Sequence, residues 1–196
     1  MRNDHRLPFI EKGSTEPSPR SEGVISIKAL LFDFDGTLTA PGALDFPSIK
    51  SAVGCPPDVP ILEHIQSMKD SRAQMEAMER LTEFEIRAAR RSTPNGGVIE
   101  MVAWLKRKGM RLGIITRNSR ASVLCAMEKF LPLGPDDFDL IITREDPISP
   151  KPSGEGLRWA ADHFSISPRE VLMVGDYLFD CLAGNFFKNR HSDFSI

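Results

Sequence analysis

Short apolar runs alternate with amphipathic stretches along most of this chain, and the two periods predict its elements. Ile27 with Ala29 to Phe32, Leu112 to Ile115, Phe138 to Thr143 and Val171 to Val174 are nearly continuous apolar runs. That is the pattern of strands covered on both faces, as in a parallel sheet. Between them the spacing is helical. Val98, Met101, Val102, Trp104 and Leu105 follow Asn95-Gly96-Gly97 and stop at Gly109, a natural carboxyl cap, and further helices are expected over Ser119 to Phe130, over Gly154 to Phe164 and from Tyr177 onward. Helices that regularly separate buried strands imply parallel pairing through right-handed crossovers. The predicted body is therefore α/β, a three-layer α/β/α sandwich.

One stretch breaks this rhythm. From Pro41 to Ser92 no run reads as a strand, while Ser48 to Val53, Val59 to Met68 and Ser71 to Arg91 carry helix formers. In the last of these, Met75, Met78, Leu81 and Phe84 or Glu85 mark a stripe expected to be the core of a small helical insert. The mixed charges of Glu76, Glu79, Arg80, Glu83, Glu85, Arg87 and Arg90 read as a solvated face with spaced ion pairs. Residues 1–25 are polar and rich in Pro and Ser, without periodicity, and are expected to form a disordered tail. The division is thus a core of 26–40 and 93–196 with a helical subdomain of 41–92 inserted. From Asn185 to Ile196 the chain is too polar for another buried strand, and His191 is expected on an exposed tail.

Composition narrows the function. At 196 residues the chain holds one sizeable core with a small insert. Lys and Arg number 25 against 27 Asp and Glu, a net charge of −2, which argues against nucleic acid or an anionic membrane as the main partner. Cys55, Cys125 and Cys181 lie far apart and indicate neither a disulfide framework nor a zinc site. No apolar stretch approaches the roughly 20 residues that span a bilayer, and the amino terminus lacks a secretory core. A cytoplasmic protein is expected, either a monomer or a homodimer.

Chemistry concentrates where apolar runs end. In Leu30-Leu31-Phe32-Asp33-Phe34-Asp35-Gly36-Thr37-Leu38 two carboxylates stand one residue apart at a strand end, before a glycine turn. In parallel sheets ligands gather at the carboxyl ends of strands, and alternate residues of an extended segment point the same way. Asp33 and Asp35 can thus face one cation or reacting group; an Asp-rich turn is the plain alternative. Downstream stand Ile114-Ile115-Thr116-Arg117-Asn118, Ser149-Pro150-Lys151-Pro152, and Val171 to Val174 followed by Gly175-Asp176-Tyr177-Leu178-Phe179-Asp180. Thr116, with the amides of Arg117 and Asn118, is placed like a helix start that binds phosphate or simply caps. Asp176 and Asp180 are four apart and share a face if helical, although Asp176 would also serve as a cap.

In this order, over residues 27 to 185, the four motifs resemble the haloacid dehalogenase-like superfamily, in particular its phosphoglycolate phosphatase branch with a helical cap. The resemblance implies a Rossmann-like core and a Mg2+-dependent phosphatase acting on a small phosphorylated metabolite, phosphoglycolate-like or a sugar phosphate. It implies Asp33 as the nucleophile that forms an aspartyl-phosphate and Asp35 as general acid and base. Lys151 would neutralise charge, and Thr116, Arg117 and Asn118 would bind the phosphoryl group; Arg117 alternatively pairs with a neighbour. The Asp33 carboxylate, the Asp35 carbonyl and Asp176 would ligate magnesium, with Asp180 in an outer position or acting through water. The insert would be a cap that excludes water and sets specificity. Cys55-Pro56-Pro57 would be a cap loop near substrate or a helix breaker, and Ser48, Lys50, His64, Lys69 and Arg72 identify no leaving group. A phosphomutase, or a catalytically weak binding protein lacking the usual last strand, are the rival readings.

Overall fold

The protein is described by a computed structural model over residues 26–189. Its sheet has four parallel strands, β1 (Ala29–Phe32), β2 (Arg111–Ile115), β3 (Leu140–Ile142) and β4 (Val171–Val174), in the order β3-β2-β1-β4. β1 is central, so its carboxyl end opens between those of β2 and β4, with Phe32 level with Ile114 on one side and Val174 on the other. Seven helices accompany the strands among the described residues: α1 (Phe46–Ala52), α2 (Ile61–Gln66), α3 (Ser71–Ala89), α4 (Val98–Arg107), α5 (Arg120–Met127), α6 (Glu155–Phe164) and α7 (Leu178–Asn189). None of them is long and apolar enough to cross a membrane.

The strands' period of two sorts their side chains into two cores. Leu30, Phe32, Leu112 and Ile114 pack with Val98, Val102 and Leu105 of α4 and Val123, Ala126 and Met127 of α5. Ala29, Leu31, Ile115, Leu140 and Ile142 pack with Leu157, Ala160 and Ala161 of α6 and Ala183 of α7. Helices on both faces explain why the strands read as continuous apolar runs, and they give the expected α/β/α sandwich. β3 and β4 are the edge strands among the described residues, and Leu172 on β4 is 45% exposed.

A third apolar cluster lies within α1, α2 and the first half of α3, built on Ile49, Val53, Leu62, Ile65, Ala77 and Leu81. Asp45 caps α1 by accepting from Ser48 N at 3.2 Å, and Asp70 caps α3 by accepting from Arg72 N at 2.9 Å. The chain leaves and re-enters the sheet region side by side, since Thr39 and Pro94 pair antiparallel.

Three expectations are corrected. Of the stripe expected on α3, Leu81 and Glu85 are buried and Met78 and Phe84 pack beside them, but Met75 is 61% exposed, and Ala77 and Ala88 complete the buried face instead. Ala77 packs in the cluster of the insert, and Ala89 packs with Val123, Ala126 and Met127 of α5. Glu85, grouped with the solvated charges, is buried because a cationic partner waits in the core. Asn185 to Asn189, read as the start of a polar tail, continue α7. Residues 1–25 and 190–196, including His191, lie outside the described residues.

Candidate active site

Asp33 follows β1 directly, and its N–H donates to Val174 O at 2.8 Å, so ladder geometry extends one residue past the strand. Asp33 (ψ 165°) and Asp35 (φ −76°, ψ 130°) both have extended backbone, and both carboxylates line the same cleft. Gly36 then turns the chain with φ +78°, a left-handed conformation that favours glycine. Its bare Cα also lets Asp176 approach, because a Cβ here would lie 2.4 Å from Asp176 Oδ2. At the end of β4, Gly175 similarly leaves room for Asp180, whose carboxyl carbon would be 2.3 Å from an added Cβ.

Lys151 enters from the loop after β3 and is 3% exposed. Its ammonium lies 2.5 Å from Asp33 Oδ1 and 2.6 Å from Asp180 Oδ1. Asp180 is held on its other oxygen by Tyr177 N at 3.0 Å, and the exposed Asp176 accepts from Thr37 Oγ1 at 3.3 Å. Asp176 thus does not act as a plain helix cap. Carboxylate oxygens of Asp33, Asp176 and Asp180 all fall within 4.8 Å of one another. Three carboxylates facing one ammonium leave excess negative charge, and an all-oxygen donor set suits a hard dication that retains waters. The residues therefore fit magnesium.

Burial raises the Asp33 carboxyl above the ordinary range, against the Lys151 charge that lowers it. Asp35 is pushed up to about 7, chiefly by burial and then by the neighbouring Asp33 charge. Its Oδ2 accepts a hydrogen bond from the Asn118 side-chain amide. A carboxyl poised near neutrality can both give and take a proton.

The loop after β2 supplies the facing wall. Thr116, 4% exposed, accepts from Asn118 N at 3.2 Å, and α5 begins later, with Ser119 as its cap accepting from Ser122 N at 3.3 Å. Of the two expectations for Arg117, pairing with a neighbour is seen. Its guanidinium is 2.6 Å from Glu63 of α2, donates to Lys151 O, and lies 4.7 Å from the Phe179 ring centroid. Asp33, Asp35, Thr116, Arg117, Asn118, Lys151, Asp176 and Asp180 all line one cleft of about 610 Å³. Leu44, Phe46, Ile49, Val59, Ile61 and Leu62 form its opposite, largely apolar wall.

Among residues the sequence left open, Pro57 and Lys50 line this cleft, with Lys50 donating to Pro57 O, whereas His64, Lys69 and Arg72 do not. Ser48 is spent on Asp45 at 2.6 Å, and Cys55 is buried with its thiol 3.3 Å from Val59 O. Sequence reasoning missed Glu63 and Arg144, and named Glu85 both on the apolar stripe and among the solvated charges without giving it a role. For Glu85 a signal existed, a carboxylate one turn after Leu81 on the apolar stripe.

The family model of haloacid dehalogenase-like hydrolases matches residues 27–187. An uncharacterized hydrolase of Saccharomyces cerevisiae is 33% identical over 165 residues, covering 83% of this chain and 75% of that one. A pyrophosphatase of Bacillus velezensis is 31% identical over 172 residues, covering 81% and 78%. Among solved structures, a hydrolase of the same superfamily from Geobacter sulfurreducens, of subfamily IA, superposes with a TM-score of 0.57 at 25% identity, over 83% of this chain and 86% of that one. With the matched span running from before β1 into α7, the chain belongs to the haloacid dehalogenase-like hydrolases.

Proposed function

We propose that this hydrolase is a magnesium-dependent phosphatase that cleaves a small phosphomonoester, phosphoglycolate-like or a sugar phosphate, through an aspartyl-phosphate. The observation that carries the reading is the pairing of Asp33 with Lys151 at 2.5 Å beside a second carboxyl, Asp35, held near neutrality in the same cleft.

A phosphomonoester repels an anionic nucleophile, so positive charge must be present before attack. Lys151 supplies one such charge next to the Asp33 oxygen. Asp33, Asp176 and the Asp35 carbonyl, with Asp180 directly or through water, would hold the magnesium ion, which when bound adds Lewis-acid charge at the phosphoryl oxygens. An Asp33 oxygen attacks phosphorus, the bond to the ester oxygen breaks, and protonated Asp35 gives its proton to the leaving alkoxide. Asp35, now a carboxylate, takes a proton from water as that water attacks phosphorus; the bond to Asp33 breaks and phosphate departs. Thr116 and the loop to Asn118 bind the phosphoryl oxygens. The helices α1 to α3 act as the cap that excludes water, with the Glu63–Arg117 pair bridging its edge to the core.

Phosphate release is measured from phosphoglycolate, sugar phosphates, nucleotides and pyrophosphate, with magnesium or with chelator, for the wild type and Asp33→Asn. Magnesium-dependent release that the variant lacks supports the reading. A folded wild type that releases phosphate from no ester refutes it.

A further inference from the structure

One buried charge pair lies outside the groups used above. Glu85 of α3 and Arg144 of the loop after β3 are 4% and 6% exposed at their side chains. The Arg144 guanidinium donates to Glu85 Oε1 and, at 2.6 Å, to Thr82 Oγ1 one turn earlier on the same helix. The other Glu85 oxygen accepts from Ser119 N at 3.1 Å, and Arg144 N donates to Asn118 O at 3.2 Å. Both polar groups of the Asn118–Ser119 peptide are thereby held, its N–H by the Glu85 carboxylate and its C=O by the backbone N–H of Arg144, whose guanidinium in turn fixes Glu85. Asn118 is further fixed by its own N–H on Thr116 Oγ1, and its side-chain amide meets the Asp35 carboxyl.

Desolvating two charges is costly, and an apolar pair of similar volume commonly stabilises as well or better. Alanines already build the neighbouring α3 surface, with Ala88 and Ala89 buried there. What the ion pair adds is direction: two oxygens and a planar guanidinium specify where one loop stands, which apolar contacts do not.

We propose that Glu85 and Arg144 are positioning residues for the acid step, fixing Asn118 so that it holds the Asp35 carboxyl toward the leaving group. The proposal rests on the phosphatase reading. Acid assistance matters for an alkyl ester, whose alkoxide must be protonated as it leaves, and little for p-nitrophenyl phosphate, whose phenolate departs unaided. A general structural role would move both alike.

The variants are Glu85→Gln combined with Arg144→Met, which leaves no unpaired buried charge, together with Arg144→Lys and Asn118→Ala. The readout is kcat/KM, which ends with leaving-group departure, on an alkyl phosphate and on p-nitrophenyl phosphate. Positioning predicts a fall of about 10- to 100-fold on the alkyl ester against less than about 3-fold on the aryl ester, a partial loss of the roughly 100- to 10,000-fold that acid–base catalysis typically contributes. Asn118→Ala gives the same selectivity, and adding it to the double substitution produces no further loss. Equal losses on both esters in folded variants, or no loss on either, overturn the proposal. Phosphate release by the wild type from neither ester instead refutes the phosphatase reading on which it stands.

Discussion

Replacing Lys151 by Met removes the ammonium that lies 2.5 Å from Asp33 and 2.6 Å from Asp180, in a place where the lysine is 3% exposed. In the metal-free protein, burial without a counter-charge makes a carboxylate take up a proton. Protonating one carboxyl of ordinary pKa about 3.9 at pH 7 costs about 4 kcal/mol, at 1.36 kcal/mol per unit, and at pH 5 about 1.5 kcal/mol. The value at pH 7 agrees with the ~3–5 kcal/mol typical of removing one partner from a buried pair. The sign follows from linkage: a carboxyl whose folded pKa lies above its unfolded pKa counts against folding at high pH, and the penalty fades as pH falls toward the unfolded value. In a chain of this size about 2–4 °C of melting temperature corresponds to each kcal/mol. Thermal unfolding in chelator should therefore place Lys151→Met about 8–16 °C below wild type at pH 7 and about 3–6 °C below at pH 5. A deficit under about 2 °C, or one that grows as pH falls, refutes the reasoning.

Gly36→Ala combines left-handed strain, about 1–2 kcal/mol, with a Cβ 2.4 Å from Asp176 Oδ2; magnesium-dependent thermal stabilisation should weaken by about 10-fold or more in apparent affinity, as for disturbed metal-ligand support. Gly54→Ala has a similar φ of +67° but nothing within 4 Å of the added Cβ, so it should lower stability alone and leave magnesium affinity unchanged. Leu81→Ala, at a site 5% exposed, should cost about 2–5 kcal/mol in urea unfolding. Met75→Gln, at a site 61% exposed, should stay within about 0.5 kcal/mol, and a larger cost would restore the stripe read from the sequence.

The sandwich was legible because the strands lie between two layers of helices, so apolar continuity and helical spacing carry the same message from Ala29 to Val174. The placement of Asp33 and Asp35 at a strand end was legible for the same reason, and the order of the later motifs pointed to Thr116 and Asp176 just after β2 and β4, to Lys151 in the loop after β3 and to Asp180 in α7. What stayed hidden depends on partners far along the chain. Glu85 stood both on the apolar stripe and among the charged residues of α3, and Arg144, 59 residues on, supplies the compensating charge that decides for burial. Arg117 had two open roles because Glu63, on another helix, decides between them. Met75 looked like core by residue type, yet Ala77 and Ala88 complete the buried face instead.

The central claim is that a phosphoryl group rests on Asp33 during turnover. Asp35→Asn should still accept a phosphoryl group from p-nitrophenyl phosphate, whose leaving group needs no proton, but should release it slowly for want of a base. Acid-quenched protein from that reaction, digested and read by mass spectrometry with magnesium present, should carry one hydroxylamine-labile phosphoryl group on the peptide containing Asp33, absent when Asp33→Asn is added. Phosphate release without any phosphorylated Asp33, or a label on another residue, would contradict the account.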